Sequence, residues 1–389
     1  RPADAFVAYV SELHAQGIVD ATGLKNLSLG QNPISLERSS TDTTASVHRE
    51  AIDELFAKKE LDIARVQKWA RSKIATQEVV RKKRKKTQTE TKSTTAPIAL
   101  YAIPKGSFQR HADDSETIEI EHSFEMMSTP VAQKMWVDIM GVNPSRFKTG
   151  ADALVVTVDG STVEMLPDNP VEQVTLLSAM YFANELSKKH GLKPVYDFKG
   201  IKYGVSKPFF RSEKNLKDAK EIQQAAARGT LASMNEDDYP TVSSPGQKIY
   251  NTSGYRLPTE HELLYVLQNL GRSNGLYYFA QTKTGALQHA WIKNNAAGST
   301  HPVAQRAPLL VGGKRLFDLL GNIYEWYHPT GLEKAGVIDE PAITGELFFP
   351  MGFSWRDSLQ NISARASEQE RTTFDRNDDL GFRLVRTLK

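Results

Sequence analysis

The sequence predicts a two-part chain, a small helical N-terminal region followed by a larger α+β domain of low regular secondary-structure content. Three observations carry this. Up to about residue 80, apolar residues recur at three- and four-residue spacing in three successive stripes. A basic, Thr-rich stretch ending in proline, RKKRKKTQTETKSTTAP, follows at Arg81–Pro97. Beyond it, short β-prone runs alternate with loops, without the repeating strand–helix pattern of a parallel α/β sheet. The reading is therefore helices over 1–80, a linker over 81–97 and one domain over 98–389.

Taken in order, Phe6, Val10 and Leu13 line one face of a first helix over Pro2–Gly17, and Gly17 is placed to end it. Asn26–Thr44 is rich in Ser, Thr and Asn and reads as a loop. Val47, Ala51, Ile52, Leu55 and Phe56 mark a second helix, and Ile63, Val66, Ala70 and Ile74 a third, enough for a small bundle. Arg81–Pro97 is an exposed tether. In the domain, Ile98–Ile103, Thr117–Glu121 and Ala153–Val158 are β-prone, and Thr129–Met140 and Pro170–Gly191 are helical. Arg211–Met234 is a polar helical stretch inside an apparent surface insertion spanning about 203–248.

Composition removes several chemistries. The 389 residues include no cysteine, so disulfides, zinc–thiolate sites, iron–sulfur clusters and thiol nucleophiles are excluded. No apolar run approaches the ~18–20 residues that span a bilayer. Net charge is +3, and the excess is local: residues 1–97 hold 17 Lys and Arg against 12 Asp and Glu. No aromatic residue interleaves with the six cations of Arg81–Lys86, so nucleic acid is not an expected partner. GxxxxGK[ST], GxSxG, HExxH and a strand-linked GxGxxG are all missing.

Seven phrases stand out in one order: FEMMSTPVAQKMWVDIMGVNPSRFK, PVEQVTLLSAMYFANELS, GYRLPTEHELLYV, STHPVAQRAP, LFDLLGNIYEW, MGFSWRD and DDLGFRLVR. In GYRLPTEHELLYV, Thr259 and Glu262 form a capping-box pattern, and Arg256 calls for a buried carboxylate partner. In DDLGFRLVR, Phe382 and Leu384 alternate with Arg383 and Val385 as in a closing strand, with Gly381 permitting close approach. Together the phrases resemble the sulfatase-modifying-factor family, the domain of the formylglycine-generating enzyme, over about Pro97–Lys389. The resemblance implies a C-type-lectin-like α+β fold.

It does not imply the enzyme's chemistry. Formylglycine-generating enzymes oxidise a substrate cysteine with two copper-binding cysteines just after the phrase matching Met351–Asp357. Here that region reads FSWRDSLQNISARASEQER, with Ser354, Ser358, Ser363 and Ser367 and no thiol. A serine hydroxyl stays protonated at neutral pH and is a poor ligand for soft copper, so no copper is expected. A second branch of the family uses non-haem iron held largely by a helical domain's histidines. The N-terminal helices here offer only His14 and His48. A metal-dependent oxidoreductase with an unrecognised iron site is the alternative to the favoured reading, a non-catalytic binding or assembly module of the bacterial cell envelope or exterior with protein partners.

Hypervariable members of the family carry an Asn-rich stretch before the final strand, whereas Ser358–Asp379 has only Asn361 and Asn377. The chain starts at Arg1 and not at Met, which suggests a removed leader and export to the periplasm, outer surface or exterior. Lectin-like domains bind through the loop-rich face near their C-terminal phrase, here Trp355, Arg356, Asp357, Arg365 and Arg371, with Trp355 either an exposed contact or a core anchor. The family also implies a structural calcium ion on LFDLLGNIYEW, held by Asp318, Glu325 and the carbonyls of Gly321 and Ile323. A companion site near His289–Asn295 is expected to be weak or absent, because Ala290 stands where the family has an amide ligand.

Overall fold

In the computed structural model the described residues are 2–15, 19, 21–34, 49–50, 52–53, 56, 64, 66–72, 98–109, 117–207, 210–211, 215–234, 240–270, 282–328, 351–360, 372 and 374–389. The chain divides into two compact units, Arg1–Thr94 and Thr95–Lys389.

In the first unit, helices Pro2–Ala15 and Ala21–Ser28 and helical residues within 49–72 share one apolar core. Phe6, Val10 and Leu13 point into it, with Ile52, Val66 and Ala70 from the later helical residues. The helix Ala21–Ser28 corrects the sequence reading, which began a loop at Asn26. Its Leu24 and Leu27 are fully buried, and a lone pair of leucines among polar residues is too short a pattern to declare a helix. The tether Arg81–Pro97 lies outside the described residues.

In the second unit the centre is a three-stranded antiparallel sheet. Strand Phe124–Met127 lies between Leu100–Ile103 and Val385–Thr387. Because side chains alternate across a strand, Phe124 and Met126 enter one apolar core while Met127 enters the other. The first core is organised by helix Leu176–Lys189, whose N-cap Thr175 accepts from the Ser178 amide. Here Trp136 stacks on Phe182 at 5.1 Å and meets Phe382 edge-on. The second core is built on helix Glu260–Leu270. Helix Gln133–Met140 begins after Ala132, later than the sequence suggested.

The insertion is more than a polar surface helix. Its helix spans only Ala219–Ala227, capped by Asp218, and its buried Ala225 and Ala226 pack with Tyr203, Leu216 and Leu231 against Leu177. Strand Tyr203–Lys207 pairs with Leu231–Ser233 and Phe210–Arg211 beside it. The remaining strands are short two-stranded ribbons, in keeping with an α+β domain of low regular content.

Candidate functional site

Two buried arginine–glutamate pairs hold the loops that form the site. Thr259 and Glu262 make the capping box read from the sequence. The Glu262 amide donates to Thr259 Oγ1 at 3.2 Å, and the Thr259 amide donates to Glu262 Oε2 at 2.9 Å. The same carboxylate is the buried partner of Arg256, which donates from both Nη1 and Nη2 at 2.7 Å, and it also meets His122 Nε2 at 3.0 Å. Burial alone would raise the Glu262 carboxyl, but Arg256 more than offsets this and holds it well below the usual range. Near it, Tyr196 Oη and His328 Nε2 share a 2.7 Å hydrogen bond, and burial pushes His328 down to about 3.

The second pair corrects a sequence reading. Arg383 does not alternate outward between Phe382 and Leu384; all three are fully buried, as is Val385. Arg383 donates from Nε and Nη2 to the two oxygens of Glu325, each at 2.7 Å, and from Nη2 to the Phe317 carbonyl at 2.9 Å. Gly381 does permit close approach, since a Cβ there would lie 2.3 Å from the Val171 carbonyl oxygen.

On this frame sits a cluster of Phe147, Trp291, Ala296 and Trp355. Phe147 meets Trp355 edge-on at 5.4 Å. Of the two readings of Trp355 the core anchor holds: it is buried, and its indole N–H donates to the Asp378 carbonyl at 3.1 Å. Asp357 is also buried and tightens a turn by accepting from the Ser354 amide and hydroxyl at 2.8 and 3.0 Å. Arg356 is exposed, lies over Trp355 at 4.3 Å and pairs with Asp378. Arg365 and Arg371 lie outside the described residues.

Four participants were missed by sequence reasoning. Exposed Arg146 pairs with the other oxygen of the same Asp378. Arg306 stacks over Trp291 at 3.6 Å, and His301 stacks on that indole at 3.8 Å. Glu172, beneath Phe147, accepts the amides of Arg146 and Phe147 at 3.0 and 2.9 Å. Burial pushes the Glu172 carboxyl up to about 8, with those amides pulling the other way. Nothing local announces these residues, because folding brings them together from segments far apart in the chain.

The four calcium residues occupy one tight loop. Asp318, Gly321 and Asn322 all adopt positive φ, at 50°, 79° and 67°. Gly321 is required, since a Cβ there would lie 2.5 Å from the Trp291 carbonyl oxygen. Glu325 is already bound to Arg383, whereas Asp318 has no ion pair among the described residues. Asp318 Oδ2 accepts from the Ala304 amide at 2.7 Å, and burial pushes its carboxyl up to about 6. The hydrogen bonds to Asp318 come from neutral donors, while the charges of Arg383 and Arg306 also act on it, and Glu325 is paired with Arg383. Among the described residues no group of three or more His, Cys, Asp or Glu is placed to hold a metal.

The model of the sulfatase-modifying factor enzyme 1-like domain matches residues 83–388. The chain belongs to this family. A "Chaperone protein LppX" of Paenibacillus barcinonensis is 28% identical over 239 residues, which are 60% of this chain and 72% of that protein. The solved structure of Treponema denticola variable protein 1 superposes with a TM-score of 0.52 at 23% identity, covering 76% of this chain and 97% of the other. That likeness is one of fold. Within the sulfatase-modifying factor domain, the region after Met351–Asp357 has no thiol, so this chain cannot supply the family's cysteine chemistry.

Proposed function

We propose that the chain is a non-catalytic binding or assembly module of the bacterial cell envelope or exterior, acting on a protein partner. One observation carries this reading. The chain has no thiol, and at the Met351–Asp357 phrase Arg356, joined by Arg146, is anchored by buried Asp378 over a packed aromatic cluster. Rigid aromatic and arginine surfaces of this kind are the usual energetic centres of protein interfaces. The printed name of the Paenibacillus relative, a chaperone, supports a role in handling another protein. Export to the periplasm or beyond belongs to the same proposal; no helix among the described residues is long and apolar enough to cross a membrane. A structural calcium ion on Asp318, with the Gly321 and Ile323 carbonyls and Glu325, would stiffen the loop beneath this face.

The test is cross-linking in intact cells with a photoreactive group at Lys148, beside the face. A discrete cross-linked protein is expected, and it should be lost in Arg356→Ala. Stoichiometric iron or copper in the purified protein, with no cross-link, would overturn the reading in favour of an oxidoreductase.

A further inference from the structure

We infer that the outer edge of strand Leu154–Val158 is a self-association surface. Its occupant is the same strand of a second copy of this chain, paired antiparallel about a two-fold axis at Val156. This goes beyond the binding-module reading and does not depend on it.

The open edge follows from the hairpin's register. Leu154–Val158 pairs with Ser161–Met165 without a bulge, across a turn in which Asp159 and Gly160 take φ of 48° and 78°. Among the described residues no third strand adjoins the pair. Opposed residues in an antiparallel ladder alternate between pairs that exchange hydrogen bonds and pairs whose N–H and C=O point away. The Glu164 carbonyl points away, since it accepts from Asn143 Nδ2 at 2.9 Å. Its partner Val155 therefore turns its own N–H and C=O to the opposite edge, and so does Thr157 two residues on. Among the described residues no backbone group of another element bonds to either. Both residues are exposed, Val155 at 63%. The edge reads LVVTV, with no charge, proline or bulge to deter another strand.

Outward N–H and C=O groups in this spacing are matched by the backbone of another extended strand, which selects the class of ligand. Two features select a second copy. The free groups of Val155 and Thr157 lie symmetrically about Val156, so a two-fold axis there sets Val155 of each copy opposite Thr157 of the other and closes both sets of hydrogen bonds. The same register sets Val156 against Val156 and Leu154 against Val158, on the face that packs over Val137. Every opposed pair is then aliphatic or β-branched, and no like charges meet. A single short strand pair buries less than the ~1,200 Å² of a standard interface, so the dimer is weak and concentration-dependent.

Sedimentation velocity on the full chain tests this. The weight-average mass should rise from 43.4 kDa toward twice that value with increasing concentration. Thr157→Pro removes an outward N–H at an edge position, where proline is tolerated, and should abolish the rise without changing the melting temperature. Val155→Lys with Thr157→Lys sets like charges face to face and should also abolish it, whereas Val155→Lys with Thr157→Glu should restore it. That exchange keeps the test decisive if the proline variant melts early. The chain has no cysteine of its own, so Val156→Cys, about 4.5 Å from its symmetry mate at Cα, should form an interchain disulfide on mild oxidation. Thr162→Cys, exposed one strand further out, should not. A chain that stays monomeric throughout, equal cross-linking by the two cysteine variants, or association that persists in both the proline and the double-lysine variants would overturn the inference. So would a photoreactive group at Ser161 that captures, in intact cells, a different protein and no second copy.

Discussion

Arg256 and Arg383 are both fully buried, and an arginine in an apolar core is tolerable only when a carboxylate and further acceptors surround it. Glu262 does this for Arg256 while also closing the capping box, so one side chain fixes a helix start and neutralises a buried cation. Glu262→Gln should therefore destabilise the domain by about 3–5 kcal/mol in a denaturant titration, because it leaves Arg256 charged and unpaired. The pH dependence has a definite sign. Glu262 has its folded pKa depressed, so its stabilisation is present above the unfolded value of about 4.3 and is lost as pH falls. His328, buried and neutral with a folded pKa of about 3, acts in the same direction from about pH 6.5 downward. Melting temperature should fall as pH drops below neutrality, with a shallower decline below about pH 4.3 in Glu262→Gln. The capping box and the need for a carboxylate beside Arg256 were legible in the sequence. That one glutamate serves both was not, because a spacing pattern counts residues and says nothing about how many lone pairs each has to spare.

The loop from Asp318 to Glu325 is the element on which the face rests. Asn322 ties it together: its amide donates to the Trp291 carbonyl, its side chain exchanges hydrogen bonds with the His301 backbone, and its carbonyl accepts from the Trp355 amide. Left-handed backbone at Asp318 and Asn322 costs of order 1–3 kcal/mol each, which these contacts offset. If calcium binds here through Asp318, adding it should raise the melting temperature of the wild type and chelation should lower it, with neither effect in Asp318→Ala. No calcium-dependent shift in the wild type would remove the ion from the account. The loop was recognisable as a phrase, and so was helix Leu176–Lys189, because each carries its pattern within a short stretch. The partners of the loop were not: Trp291, His301, Trp355 and Arg383 come from four separate segments. The same limit hid the Arg146–Asp378 pair, whose members are 232 positions apart.

At the level of the whole molecule, the two units meet in sequence at the Thr-rich end of the tether. Six consecutive basic residues there offer trypsin its densest target, so limited digestion should cut first within Arg81–Lys92 and leave a resistant C-terminal fragment, readable by mass spectrometry. A full-length chain that resists cleavage would mean that the tether is protected. The domain's own wiring has another outcome. Strand Val385–Thr387 completes the central sheet, its Arg386 pairs with Glu125 across 261 positions, and Arg383 from the same segment neutralises Glu325. These residues are the last of the domain to be synthesised, yet both cores wait on them. While the domain is still emerging from the ribosome, Phe124 and Met126 lack the strand that covers them, and Glu325 lacks its cation. A chain ending before Arg383 therefore lacks the third strand of the sheet and the cation of Glu325, and should expose apolar surface that the complete domain buries.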